Sequence, residues 1–162
     1  LTTHIELKNV ENQINQKKIS NCINNVINFY KKINKKIKIV ILGLNPHASA
    51  DFNQNVKDKR IISRIIKNMK RKKIDISGPI SADTAFIENY KNKVFIGMYH
   101  DQVLIPFKTI NKFNGINITI GKKILRLSPD HGTAKNLKRV KKNISNKSFL
   151  KCMDFCSKKI NA

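Results

Sequence analysis

The residues in this chain that are best suited to chemistry are its four histidines, His4, His47, His100 and His131. Imidazole binds divalent metal ions and exchanges protons near neutral pH. Each histidine lies in a short polar segment outside the amphipathic helix patterns: TTHIEL, LNPHAS, MYHDQ and SPDHGTA. One histidine at a strand end is more often a hydrogen-bonded loop residue than a ligand, but two at successive strand ends favour a metal or catalytic cluster. Spacing alone leaves both interpretations open.

The elements that must position these histidines alternate between helix and strand patterns. Apolar residues recur every three or four positions in 19–33 and 61–69, which predicts two amphipathic helices. Short apolar runs predict buried strands at 37–44, at 74–78 with the turn residues Gly78 and Pro79 at its end, and at 94–99. The segments LNPHAS and YHDQ lie at the ends of two of these strands, where ligands of α/β sheets gather.

The C-terminal third has a different pattern. The runs INITIG and ILRLS, around 116–128, are joined through 121–123 and predict a hairpin. Two helices are predicted after it, at 133–142 and 148–160. The whole pattern predicts an α/β fold, in which helices pack on a central, mostly parallel sheet with the hairpin added.

The charge of the chain bears on its partners. A formal net charge of +23 and a pI near 10.2 would suit a nucleic-acid binder. Lysine is spread over nearly every segment, however, and aromatic residues make up only 7%, so no segment offers a stacking platform for bases. We therefore expect a solvated basic surface and no nucleic-acid partner.

Other signatures are missing from the sequence. The six glycines are scattered, so neither GxGxxG nor GxxxxGKS/T can be formed, and a dinucleotide would not be held by a Rossmann-type turn. The longest aliphatic runs, such as 39–42, are too short to cross a bilayer, and we expect no membrane partner. Cys22, Cys152 and Cys156 form no CxxC pair, and their odd number favours reduced core thiols in a cytoplasmic protein.

Five segments stand in an order typical of one enzyme family. They are LGLNPHA (42–48), SGPISADTAF (77–86), MYHDQ (98–102), INITIG (116–121) and SPDHGTA (128–134). In order and spacing they resemble the 4-hydroxythreonine-4-phosphate dehydrogenase family of pyridoxal 5′-phosphate biosynthesis. The resemblance runs from Leu1 to the C-terminal helix and corresponds to about the C-terminal half of a family member.

The resemblance implies an architecture. Residues 1–162 would be the C-terminal portion of a two-domain dehydrogenase whose N-terminal portion is missing, with a fold like that of isocitrate and isopropylmalate dehydrogenases. The intact protein would be a homodimer, and this chain alone would be inactive. It would also expose apolar surface that normally packs on the other domain, which favours aggregation.

The resemblance also implies a reaction and its cofactors. The family oxidises 4-phosphooxy-L-threonine with NAD or NADP, and the resulting β-keto acid loses CO₂ to yield 3-amino-2-oxopropyl phosphate. Three histidines bind a divalent metal in the family, and the matching positions here are His4, His47 and His100. Zinc, magnesium and cobalt all remain candidates. Such a cation would lower the pKa of the alcohol and stabilise the enolate formed on decarboxylation.

Further site residues follow from the same resemblance. Those expected to bind substrate, through groups that suit phosphate, carboxylate or the reacting oxygens, are Lys108, Asn117 and Arg126. Those expected to orient ligands or handle protons are Asp83, Asp101, Asp130 and His131. Plainer alternatives exist: a surface charge for the two basic residues, a turn or helix cap for the first two aspartates and a structural hydrogen bond for the histidine.

One segment departs from the family pattern. After NPH the family continues with a glycine-rich, acidic segment, whereas this chain reads ASADFNQNVKDKR, with no glycine between Gly43 and Gly78. We expect this loop to have a different shape, which affects contacts made by its backbone more than His47 itself.

Two other functions stay open beside the leading one. A related enzyme would oxidise a phosphorylated sugar acid such as threonate or erythronate phosphate, and turnover of amino and hydroxy substrates separates the two. A non-catalytic basic binding module would keep the fold and bind nucleic acid with a steep salt dependence.

Overall fold

Three parallel strands form the sheet of the first of two units in a computed structural model of the chain. The first unit is Leu1–Pro106 and the second is Phe107–Ala162. The structure describes residues 1–54, 56–87, 91–121, 123–130 and 145–160.

The parallel sheet has the order β2-β1-β3, with strands β1 (Lys38–Leu42), β2 (Ile76–Ile80) and β3 (Lys93–Ile96). The last four residues of β1 are buried, because this strand lies in the middle of the sheet. A central parallel strand is covered on its faces and flanked on both edges, which explains the continuous apolar run in its sequence. Gly78 of β2 has φ 127°, and a Cβ there would collide with the carbonyl oxygen of Ile41.

Among the described residues, four α-helices lie or begin in this unit: α1 (Leu7–Gln13), α2 (Gln16–Lys32), α3 (Ser63–Arg71) and α4 (His100–Asn111). The side-chain oxygen of Asn15 caps α2 by accepting a hydrogen bond from the backbone amide of Lys18 at 2.9 Å. Helices α2 and α3 each bury one apolar stripe, as their spacing predicts. A single π-helical turn, Asp58–Ile62, leads into α3.

The second unit consists of a hairpin and a helix among its described residues. Strands β4 (Ile116–Thr119) and β5 (Arg126–Pro129) are antiparallel, and α5 (Lys147–Ile160) contacts both. The hydroxyl of Ser148, at the start of α5, donates to the carbonyl of Gly115 and accepts from the amide of Asp130 at 3.0 Å. This buried side chain therefore joins the helix to the open end of the hairpin, where β4 begins and β5 ends.

The predicted elements are confirmed in type where they fall on described residues. The α/β fold, its parallel sheet and the hairpin are present, and the hairpin strands form a sheet of their own. The predicted helix 133–142 lies outside the described residues.

Strand boundaries differ from the predicted ranges, most clearly in β2 and β3. Strand β2 continues through Gly78 and Pro79, which is possible because β2 is an edge strand and proline lacks only a hydrogen-bond donor there. Strand β3 stops at Ile96 rather than Tyr99, because the amide of Met98 is bound by a side chain instead of a neighbouring strand.

No helix among the described residues is long and apolar enough to cross a membrane. Several large apolar side chains are nevertheless exposed. They include Leu7, Ile87, Ile105, Ile124, Phe149, Leu150 and Met153.

Candidate active site

The carboxyl ends of the three parallel strands carry the candidate residues of the first unit. Parallel strands end at the same edge of a sheet, so the loops that follow them are neighbours. His47 follows β1, Asp83 follows β2, and His100 follows β3 as the first residue of α4. The three loops therefore present two imidazoles and a carboxylate at one edge, as strand-end placement predicts.

The N-terminal segment brings a further histidine to this edge. The amide and the hydroxyl of Thr2 both donate to the carbonyl of Met98, at 3.1 and 2.7 Å. His4 consequently lies beside His100, with ring centroids 5.4 Å apart and planes tilted by 45°. The two rings line a groove of about 170 Å³ together with Thr3 and Tyr99.

His47 lies on a tightly wound loop. Residues His47, Ala48 and Ser49 have φ values of 51°, 49° and 62°, three left-handed residues in a row without glycine. Each such residue costs roughly 1–2 kcal/mol, so other contacts must hold the loop. Gly43 allows the loop to close, because a Cβ there would lie 2.7 Å from the Cα of Ala48.

Two of these histidines are each in direct contact with a carboxylate of their own. Nδ1 of His47 lies 2.9 Å from Oδ2 of Asp51, and Nδ1 of His100 lies 2.7 Å from Oδ1 of Asp101. The hydrogen bond to Asp51 and then its negative charge raise the pKa of His47, with a smaller contribution from Asp83. All four side chains of these two pairs are 40% exposed or more, so solvent screens both pairs.

Asp83 lies in the turn after β2. Its Oδ1 accepts a hydrogen bond from the hydroxyl of Ser81 at 2.5 Å. That bond is the main cause of a lowered pKa of Asp83, and the backbone amides of Asp83 and Thr84 add to it. The carboxylate therefore caps its own turn while it also contributes negative potential at His47.

Asp58 supports the site and was missed by the sequence analysis. Its carboxylate is fully buried and accepts hydrogen bonds from the amides of Leu44 and Asn45, at 2.6 and 3.2 Å. The side-chain amide of Asn45 and the hydroxyl of Ser49 donate to it at 2.9 and 2.5 Å. Flanked by Lys57 and Lys59, this aspartate has the sequence context of an exposed loop, and no sequence signal marks it as buried.

Gln102 is a second buried support. Its side-chain amide nitrogen donates to the carbonyl of Gly43 at 2.7 Å, and its oxygen accepts from the amide of Met98 at 2.7 Å. The loop after β1 is thereby joined to the loop after β3. A buried glutamine can do this because it offers one donor and one acceptor at the same time.

The second unit holds the other candidate residues. The ammonium group of Lys108 lies 3.0 Å from Oδ2 of Asp130, whose side chain is only 17% exposed. Asn117 and Arg126 are exposed and share one face of the hairpin, because Asn117 pairs with Ser128 and Thr119 pairs with Arg126. His131 lies outside the described residues.

The described side chains do not form a complete metal cage. No group of three or more His, Cys, Asp or Glu side chains that could hold a metal ion occurs in the described part of the chain. The geometry pairs His4 with His100 and leaves His47 on its separate loop.

A parallel sheet with flanking helices and polar groups beyond its strand ends defines an α/β protein, a class whose ligands generally gather at that edge. The sequence profile of one such family, described as pyridoxal phosphate biosynthetic protein PdxA, matches residues 1–156. The chain belongs to this family.

Individual relatives agree with that assignment. Over 152 residues, 91% of the chain and 46% of the relative, it is 43% identical to a 4-hydroxythreonine-4-phosphate dehydrogenase of Sulfurihydrogenibium sp. (strain YO3AOP1). It is 34% identical over 137 residues to a D-threonate 4-phosphate dehydrogenase of Pectobacterium atrosepticum, covering 83% of the chain and 42% of the relative.

A solved structure shares the fold. The crystal structure of a 4-hydroxythreonine-4-phosphate dehydrogenase from Klebsiella pneumoniae superposes with a TM-score of 0.75 at 31% identity. The match covers 93% of this chain and 46% of that one. The chain thus spans about half the length of the relatives it matches.

Proposed function

We propose that the chain is the C-terminal portion of a two-domain, metal-dependent dehydrogenase that oxidises 4-phosphooxy-L-threonine with NAD or NADP. The hydride on the alcohol carbon goes to the nicotinamide, and the hydroxyl proton goes to a base. The bond to the carboxylate then breaks and CO₂ leaves. The enolate that remains takes up a proton at the carbon that bears the amino group, which gives 3-amino-2-oxopropyl phosphate. The observation that carries this proposal is the pairing of His4 and His100, 5.4 Å apart, beyond the carboxyl end of β3.

The chemistry of these imidazoles suits a divalent cation. A carboxylate that accepts a hydrogen bond from Nδ1–H favours the tautomer in which Nε2 keeps its lone pair. Asp51 and Asp101 are placed to do this for His47 and His100. We assign His4, His47 and His100 as the ligands, with zinc, magnesium and cobalt as candidate ions. When bound, such an ion supplies Lewis acidity at the reacting oxygen.

The remaining roles rest on the family resemblance, and the chemistry of each side chain is compatible with its role. The phosphate and carboxylate groups of the substrate would be bound by the ammonium of Lys108, the amide of Asn117 and the guanidinium of Arg126, because these groups donate hydrogen bonds to such anions. Asp130 holds the ammonium of Lys108 in one place. Asp83 is one of the carboxylates at the same sheet edge, and we assign it to orient ligands or handle protons. Its lowered pKa keeps it ionised and also makes it a weak base.

A second substrate is favoured by one comparison. The Pectobacterium relative, at 34% identity, is named for D-threonate 4-phosphate, which carries a hydroxyl where 4-phosphooxy-threonine carries an amino group. NADH or NADPH formation with each substrate distinguishes the two. Because this chain spans about half of such an enzyme, the assay combines it with the purified N-terminal half of the Sulfurihydrogenibium relative.

Metal content tests the proposed site directly. We expect about one divalent ion per purified, untagged chain by elemental analysis, and a loss of that ion in His100→Gln and His47→Gln. Lys36→Gln is the matched control, because Lys36 is exposed and precedes the amino end of β1. A folded wild-type chain without metal would contradict the proposed ligand set in this chain.

A non-catalytic basic module is the third possibility. It predicts tight nucleic-acid binding that weakens steeply with salt, as the charge of +23 would allow. The proposed enzyme instead forms a homodimer in its intact state, and we expect no salt-dependent binding of duplex DNA in a gel-shift titration.

A further inference from the structure

We infer that Asp58 is a positioning residue: within a buried frame that also contains Thr2 and Gln102, it sets the conformation of the loop that carries His47. We call these three side chains the positioning frame. The inference rests on the proposed function, because that function makes the histidine loops important.

The first argument is the way that Asp58 is satisfied. Four neutral donors from Leu44, Asn45 and Ser49 converge on its two oxygens, and the side chain has no exposed surface. The carboxylate therefore cannot touch a substrate, and its charge is stabilised by the loop itself. Asn45 and Ser49 each stand two residues from His47, so these bonds bracket the histidine from both sides.

The second argument is that the other two histidine segments are tied to the same frame. Thr2, two residues before His4, bonds the carbonyl of Met98. Gln102, two residues after His100, bonds the amide of Met98 and the carbonyl of Gly43. A series of hydrogen bonds thus runs from Thr2 through Met98 and Gln102 to Gly43. The next residue along the backbone, Leu44, donates its amide to Asp58.

The third argument concerns the conformation of the loop. His47, Ala48 and Ser49 are all left-handed, which non-glycine residues adopt only when surrounding contacts fix them. The hydroxyl of Ser49, at the end of this run, donates to Asp58 at 2.5 Å. A carboxylate at position 58 accepts from every donor around it, whereas an amide would turn an NH₂ group toward N–H or O–H donors.

The test is Asp58→Asn in the full chain, with Co²⁺ as the probe ion in titration calorimetry. We expect the Kd for Co²⁺ to rise about 10- to 100-fold, as with other groups that orient metal ligands. We also expect the amides of Leu44 and Asn45 to exchange with solvent at least about tenfold faster, because they lose their acceptor. An Asp58→Asn chain that is folded and keeps both the Kd and the exchange rates would overturn the inference.

Two controls separate positioning from general destabilisation. Asp75→Asn makes the same chemical change at an exposed aspartate of the first unit and should alter neither readout. Ile23→Val weakens the core in α2 without touching the frame, so it should lower stability and leave the Co²⁺ affinity unchanged. A loss of Co²⁺ affinity in Ile23→Val equal to that in Asp58→Asn would overturn the inference.

A milder variant decides the question if Asp58→Asn does not fold. Ser49→Ala removes one donor and keeps the carboxylate, and it should raise the Kd for Co²⁺ severalfold; an unchanged Kd would overturn the inference. If the wild-type chain binds no Co²⁺, the proposed metal site fails by itself. The inference is then judged by exchange at Leu44 and Asn45 alone, where faster exchange in Asp58→Asn supports it and unchanged exchange contradicts it.

Discussion

The two units hold their candidate residues in different ways. In the first unit, the loops that carry His4, His47 and His100 are bonded to buried polar side chains of the positioning frame. In the second, Asn117 and Arg126 stand on an exposed hairpin face.

Candidate residues of the first unit thus depend on buried hydrogen bonds that fix the conformation of their loops, whereas the exposed side chains of the second do not. Hydrogen bonds of the frame are out of water, so removing one partner leaves a buried group unsatisfied and changes the loop. An exposed side chain can exchange its protein partner for water at little cost. Substitutions in the first unit should therefore act through stability and geometry, and those in the second should act mainly through the ligand contact itself.

The largest contrast is expected between two glycines, one in each unit. Gly78→Ala forces a Cβ against the carbonyl of Ile41 at a φ of 127°, and should lower the free energy of unfolding by about 3–5 kcal/mol. Gly121→Ala, at a φ of 88° in the hairpin connection, should cost only about 1 kcal/mol.

Urea unfolding measures the loss of stability in the first unit. The sequence has three tyrosines, and all of them precede position 107, where the second unit begins, so tyrosine fluorescence does not report on that unit. Hydrogen exchange by mass spectrometry follows the hairpin. Equal losses of stability for the two variants would remove the distinction between the units.

Buried polar side chains that join two backbone groups give the next largest effects. Gln102→Met leaves the amide of Met98 and the carbonyl of Gly43 unpaired at similar side-chain volume, for an expected loss of about 2–4 kcal/mol. Ser148→Ala frees the carbonyl of Gly115 and the amide of Asp130, for about 1–3 kcal/mol in the second unit.

Thermal unfolding of both variants tests this order, with Asn24→Gln as an exposed polar control. A Gln102→Met chain as stable as wild type would show that the frame contributes no stability. A larger loss in Ser148→Ala than in Gln102→Met would reverse the ranking of the two units.

Elements with long periodic patterns were predictable from sequence. Helix α2 repeats apolar residues over 17 positions, and β1 is a continuous apolar run, so both follow from burial of one stripe or of a whole strand. Helix α1 was not predicted, because seven residues with Val10 as their buried member carry too short a pattern. The predicted strand ended at Gly78, whereas β2 continues to Ile80. An edge strand tolerates proline, but the sequence of one segment does not reveal that it lies at the edge of a sheet.

The site shows the same limit. Strand-end placement of His47 and His100 followed from the order of elements, and the residue roles came from a family resemblance. The pairing of His4 with His100 depends on the bonds from Thr2 to Met98, which join residues distant in sequence. Asp58 was missed because burial of a charged side chain depends on four donors that only the folded loop brings together.

A smaller effect is expected where the second unit has its ion pair. Lys108→Met removes the partner of Asp130, but the lysine side chain is 45% exposed, so the loss of stability should be at most about 1 kcal/mol. Substrate turnover by the reconstituted enzyme should fall far more, because the ammonium group would contact the substrate. Lys151→Met on α5 is the control and should change neither quantity. Full turnover in Lys108→Met would remove this residue from the proposed site.

The smallest expected effect is a change in the pKa of His47, whose loop is contacted by two aspartates of different exposure. Asp58 is buried and fixes the shape of the loop, whereas Asp51 is 74% exposed and acts on the protonation of His47. Because the hydrogen bond and charge of Asp51 raise the pKa of His47, Asp51→Asn should lower that pKa toward its ordinary value. Asp83→Asn should lower it less, because Asp83 acts only through its charge.

The sign of the linked stability follows from the same shift. A histidine whose pKa is higher in the folded state adds stability below its ordinary pKa, and that stability is lost as the pH rises through the raised value. An NMR titration of the His47 ring measures the pKa in the wild type and in both variants. If Asp51→Asn leaves the pKa of His47 unchanged, the exposed pair does not persist in water, and only the buried aspartate controls this loop.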